Sequence, residues 1–245
     1  MRLLKLGQLM VRLAGGTDGE GGGDGPLVVL MHGFGAPATD LVPLCRALDV
    51  PPVVRFAFPA APLVLDARAP DEYAPRAWWM IDIARLQAAI LRGEGRDLAR
   101  EAPPGLAAAR AAVRDMLAAM ERELATPPER IVLGGFSQGA MLACDVALRA
   151  ERPPAGIAIL SGAPLCVDEW QKLAAERAGL PVLQSHGRTD AVLPFEGAEW
   201  LRDVLVGGGL DVEWVPFNGG HSIPDGVLER LAAFITSRNA PEPAR

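Results

Sequence analysis

Short β-branched runs alternate along this chain with longer stretches of helical period. That alternation dictates an α/β architecture: a mostly parallel central sheet covered by helices on both faces. Residues 27–31 (Leu-Val-Val-Leu-Met) are apolar without a break, as a strand buried on both sides requires. Further strands are expected at 8–13, on the sheet edge, and at 53–57, 131–135, 156–160, 182–185 and 211–217. Helices are expected at 40–48 with Asp40 as its cap, and at 106–124, 139–150, 195–206 and 224–237. Within 106–124, Val113, Leu117, Met120 and Leu124 recur at helical steps, and Pro127 and Pro128 end the run. The glycine-rich stretch 15–25 reads as a mobile surface loop, 58–76 as a long proline-rich loop, and 239–245 as a frayed tail.

With 245 residues, half of them apolar, and neither internal repeat nor linker, one domain over 1–245 is expected. The net charge of −6 offers no footprint for nucleic acid. No stretch approaches the ~18 apolar residues of a membrane-spanning helix, so stable membrane insertion is not expected. Gln8 and Arg12 interrupt any signal-peptide core. Cys45, Cys144 and Cys166 are too sparse for a disulfide framework and lack metal-ligand spacing, which points to the reducing cytoplasm. With no H-E-x-x-H, paired-cysteine or Walker pattern, neither a metal nor a cofactor is expected.

The sharpest local signal is Gly135-Phe136-Ser137-Gln138-Gly139, a G-x-S-x-G between a strand and a helix. A nucleophile elbow turns so sharply that its flanking positions must lack bulk, and the two glycines meet that need. A serine hydroxyl is a weak nucleophile and needs a base. Behind such elbows the chain order is nucleophile, acid, histidine. His32 precedes Ser137 and suits packing, while His186 is placed to brace the loop that follows it. His221, in Asn218-Gly219-Gly220-His221, remains as the base on a loop supple enough to bring its ring over the serine. Asp190 follows a strand by a short turn and precedes His221, which makes it a better orienting acid than Asp168, Asp211 or Asp225.

Acyl transfer also needs donors for the negative oxygen of a tetrahedral intermediate. The backbone N–H of Gln138 at a helix N-terminus and that of Phe34 in His32-Gly33-Phe34-Gly35 are the candidates. The latter loop also matches the dinucleotide fingerprint G-x-G-x-x-A. The next strand ends without a carboxylate for a ribose, however, and Pro37 removes a donor, so nucleotide binding is set aside. Trp78 and Trp79, with Pro59, are the candidate substrate-pocket residues; adjacent tryptophans commonly divide into one buried and one rim residue.

Together these residues resemble the α/β-hydrolase fold, and within it the phospholipase/carboxylesterase family that includes the acyl-protein thioesterases. The resemblance rests on Leu30-Met31-His32-Gly33-Phe34-Gly35, Phe58-Pro59-Ala60-Ala61-Pro62 and Trp78-Trp79-Met80-Ile81-Asp82. It continues in Gly134-Gly135-Phe136-Ser137-Gln138-Gly139, Leu160-Ser161-Gly162 and His186-Gly187-x-x-Asp190. It covers residues 8 to 238. It implies a fold with little or no cap domain, Ser137, Asp190 and His221 as triad, and the Phe34 and Gln138 N–H groups as oxyanion hole. The implied activity is cofactor-independent cleavage of small-molecule carboxylic esters, with thioesters as a further class, on short to medium acyl chains. A lysophospholipase, a polyester depolymerase and a catalytically silent ligand-binding relative are the alternatives, and exposed helix faces leave room for a homodimer. Ala140 stands where relatives carry a second glycine. The segment 84–105 is longer than usual and is expected to form an extra helix beside the acyl channel.

Overall fold

The computed structural model describes residues 1–93 and 95–238. Its strands are β1 (Arg2–Leu6), β2 (Leu9–Gly16), β3 (Glu20–Gly22), β4 (Leu27–Met31), β5 (Arg55–Pro59), β6 (Leu63–Val64), β7 (Arg76–Ala77), β8 (Ile131–Phe136), β9 (Gly156–Leu160), β10 (Pro181–Gly187) and β11 (Asp211–Phe217). Its helices are α1 (Leu44–Ala47), α2 (Ile83–Arg92), α3 (Gly95–Leu98), α4 (Leu106–Leu124), α5 (Gln138–Leu148), α6 (Val167–Ala175), α7 (Phe195–Gly207) and α8 (Asp225–Ser237).

The main sheet runs β1-β2-β5-β4-β8-β9-β10-β11, with β3 beside β2. From β5 to β11 every pairing is parallel; β1 and β2 add an antiparallel edge. Strand alternation divides the core. Leu27, Val29 and Met31 of β4 pack with α4 to α7, whereas Val28 and Leu30 pack with Leu41, Leu48 and α8 on the other face. After β4 the chain pairs β5 on one side and later returns to put β8 on the other. The crevice beyond the carboxyl ends of β4 and β8 is therefore a topological switch point, where open α/β sheets bind their ligands.

Several local expectations are corrected. Residues 8–13 are not the sheet edge, because β1 forms a hairpin that covers β2. The glycine-rich stretch at 15–25 is partly strand: β2 reaches Gly16 and β3 pairs with it. Asp18 Oδ1 accepts the N–H groups of Glu20 and Gly22 at 2.7 and 2.8 Å. Asp40 caps no helix, since α1 begins at Leu44 behind successive turns, with Pro43 unable to donate to a helical ladder. In the proline-rich 58–76 loop, β6 pairs with β7, the strand that follows it. Helix α6, with Trp170 buried, was not legible from the sequence. The segment 84–105 holds two helices, α2 and α3, where one was expected. The tail at 239–245 lies outside the described residues. Among the described residues no helix is long and apolar enough to cross a membrane.

Candidate active site

Ser137 sits between β8 and α5 with φ 54° and ψ −117°, a left-handed backbone that L-residues rarely adopt. The sharp turn fits because glycines stand two positions to either side, at 135 and 139, where the backbone passes too close to β4 for a side chain. A Cβ on Gly139 would lie 2.0 Å from the Met31 carbonyl oxygen, and one on Gly135 would lie 2.5 Å from the same atom. Ser137 N–H donates to Leu160 O at 2.9 Å, which ties the elbow to the end of β9.

His221 and Asp190 meet because the loops beyond β10 and β11 are stitched together. Past the last paired residues, Gly187 and Phe217, Arg188 N–H donates to Phe217 O at 2.9 Å and Thr189 N–H to Gly219 O at 3.0 Å. Gly187 lets them approach, since a Cβ there would fall 2.2 Å from Gly220 O. His221 Nδ1 lies 2.6 Å from Asp190 Oδ2, while Asp190 Oδ1 accepts the N–H groups of Val192 and Leu193 at 2.8 and 2.9 Å. The carboxylate is thus held at both oxygens. The His221 ring rests against Phe136, the residue before Ser137, at 4.7 Å between centroids.

Ser137, His221, Phe34 and Gln138 all line one cavity of about 1180 Å³. Among the described residues Ser137 Oγ has no hydrogen-bond partner, so its link to His221 is a shared wall and not a closed bond, a looseness common before substrate binds. A Cβ on Gly33 would stand 3.4 Å from Ser137 Cβ, so the 32–36 loop passes close to the elbow. Gln138 opens α5, and neither its N–H nor that of Phe34 finds an acceptor among the described residues. These two donors beside the serine suit a developing oxyanion.

The other histidines hold backbone. His32 Nε2 accepts the Ala61 N–H at 3.1 Å, which leaves Nδ1–H to donate to Gly33 O at 2.9 Å. Burial pushes its pKa down to about 4, so the ring is neutral. His186 Nε2–H donates to Leu193 O at 2.9 Å.

Trp79 lines the cavity. Trp78 and Pro59, also read as pocket residues, do not, and neither tryptophan forms a rim: both are 2% exposed. Trp78 turns its indole N–H to His32 O at 2.9 Å, and Pro59 is occupied in β5 opposite Val11. Two contributors escaped the sequence reading. Arg76 N–H donates to Ala36 O and its Nη1 to Ala61 O, which fixes the 32–36 loop. The Gln138 amide accepts Trp78 N–H at 3.0 Å and donates to Trp79 O at 2.8 Å. No spacing rule marks such long-range contacts. Ile83 and Leu86 of α2 and Arg96 of α3 form a cavity wall in the region where an extra helix was expected, with the Arg96 guanidinium over the Trp200 ring at 5.4 Å. Among the described residues no group of three or more His, Cys, Asp and Glu is arranged to hold a metal ion.

A parallel sheet, an elbow serine at its switch point and a carboxylate-held histidine beside the same cavity define an α/β-hydrolase. The chain belongs to the phospholipase/carboxylesterase family, whose model matches residues 23–239. It is 29% identical over 229 residues to acyl-protein thioesterase 1 of Eremothecium gossypii, covering 88% of this chain and 91% of that protein. It is 30% identical over 131 residues to carboxylesterase SOBER1 of Arabidopsis thaliana, covering 52% and 58%. The crystal structure of esterase PE8 superposes with a TM-score of 0.72 at 30% identity, over 92% of this chain and 99% of that one.

Proposed function

We propose that this protein is a serine hydrolase that cleaves carboxylic esters and thioesters through an acyl-enzyme, with Ser137 as nucleophile, His221 as base and Asp190 as orienting acid. The observation that carries the reading is the 2.6 Å contact between His221 Nδ1 and Asp190 Oδ2 on the wall of the cavity that Ser137 enters. Oriented by Asp190 through Nδ1, the imidazole turns Nε2 toward the serine side and takes its proton as Oγ attacks the carbonyl carbon. The oxyanion rests on the N–H groups of Phe34 and Gln138. The protonated imidazole then gives its proton to the departing alcohol or thiol, and water repeats the sequence on the acyl-enzyme.

Ile83, Leu86, Met141 and Leu165 in the cavity wall support an apolar acyl group as occupant, of short to medium length. The three free thiols support a reducing, cytoplasmic setting. The test is covalent labelling with a fluorophosphonate probe. The wild-type protein takes the label and Ser137→Ala, still folded, does not. Label retained on the Ser137→Ala protein would move the nucleophile elsewhere.

A further inference from the structure

Asp190 has a second imidazole neighbour that the proposed reaction does not use. His186, at the end of β10, is fully buried, and its Nε2 lies 3.3 Å from the same Asp190 Oδ2 that faces His221. That nitrogen also donates to Leu193 O at 2.9 Å. A carbonyl oxygen only accepts, so Nε2 carries the hydrogen. Leu193 in turn donates its own N–H to Asp190 Oδ1 at 2.9 Å. The three residues close a ring of contacts around the carboxylate: His186 pins Leu193, Leu193 pins one oxygen, and the Nε2–H edge faces the other.

We infer that His186 is a positioning residue of the triad, a neutral imidazole that holds the Asp190 carboxylate in the orientation from which it grips His221. The inference rests on the triad reading given above. Neutrality follows from the geometry. His186 Nδ1 is buried without a partner, and a charged ring would place a second N–H there unpaired. Burial also presses the His186 pKa down. Were this ring cationic, it would compete with His221 for the charge of Asp190. Uncharged, it orients the carboxylate and leaves that charge to stabilise the imidazolium formed during catalysis. The titratable groups acting on His186 are Asp190 and His221. From α7 the Phe195 ring lies 6.2 Å away, and the Arg188 guanidinium is turned onto that ring at 5.1 Å.

The experiment compares His186→Gln, whose terminal amide can replace the Nε2–H, with His186→Met, of similar reach but with no donor. His186→Leu, which carries no donor, serves as the second donor-free variant should the methionine protein not fold. The readouts are kcat, KM and the pH profile of kcat/KM on a p-nitrophenyl ester, beside fluorophosphonate labelling. H186Q is expected to keep kcat within about threefold of wild type, and H186M to lose about tenfold with KM little changed. The acid limb of kcat/KM should move to lower pH in H186M and stay in place in H186Q, because a looser Asp190 stabilises the imidazolium less. An H186M protein with unchanged kcat and acid limb overturns the inference. So does an equal loss in both variants with unmoved acid limbs, which is the mark of packing alone. Failure of the wild-type protein to label would instead defeat the triad reading beneath it.

Discussion

Asp190 and His221 stand 31 residues apart in the chain, yet Oδ2 of one lies 2.6 Å from Nδ1 of the other. The pairing is made by backbone: the loops that carry the two residues exchange hydrogen bonds beyond the last register of β10 and β11. Asp190→Asn therefore keeps the fold, since Oδ1 can still accept from Val192 and Leu193, but presents an amide to His221 and favours the wrong tautomer. We expect kcat on a p-nitrophenyl ester to fall by about 10³–10⁴-fold with little change in thermal midpoint. Activity within tenfold of wild type would remove Asp190 from the triad.

Gln138 ties the elbow to the cavity wall by holding both the N–H of Trp78 and the carbonyl of Trp79. Gln138→Ala leaves the backbone donor of residue 138 in place but strands two buried polar groups, each costing about 1–3 kcal/mol. Urea unfolding should show a loss of that order, and ester hydrolysis should fall because Trp79 lines the cavity. Unchanged stability would show that the amide clamp is idle.

His32 makes stability depend on pH. Its pKa is near 6.5 when unfolded and pushed down to about 4 by burial in the folded protein. Between those values the unfolded chain binds the extra proton, so the contribution is fully present above about 6.5 and drains away as pH falls toward 4. The full difference corresponds to about 3 kcal/mol. His186 is displaced in the same direction by burial and adds to the loss. Urea midpoints recorded from pH 7.5 down to 4.5 should decline, and less steeply in His32→Gln. Parallel slopes for the two proteins would clear His32 of the effect.

Trp200 closes part of the cavity under the Arg96 guanidinium. Trp200→Ala opens that wall, and longer p-nitrophenyl esters should gain on shorter ones by about fourfold in kcat/KM for each added methylene that becomes buried. A chain-length profile that keeps its shape would place the acyl group elsewhere in the cavity.

Much of this was legible along the chain. The unbroken apolar run of β4 announces a strand buried on both faces, and the helical steps from Val113 to Leu124 announce α4 over the span it occupies. Gly135 and Gly139 mark the elbow because a turn that tight excludes a Cβ, a constraint local enough to be written in five residues. Asp190 and His221 could be singled out because strand ends in a parallel sheet come together at one edge, whatever the loops between them.

What the sequence could not say depended on partners distant in the chain. The edge position of residues 8–13 was lost to β1, a hairpin partner that the polar Arg2 and Lys5 disguised. Trp78 carries the same pocket-like chemistry as Trp79, and only the fold turns one to His32 and the other to the cavity. Arg76 and the Gln138 amide act through contacts with residues whose approach no periodicity records. A sequence by itself determines the kind of element and the chemistry each residue can offer, because sterics and hydrophobic period act over a few positions. Which donor meets which acceptor is decided in three dimensions, where burial charges the full desolvation cost for any polar group left unmatched.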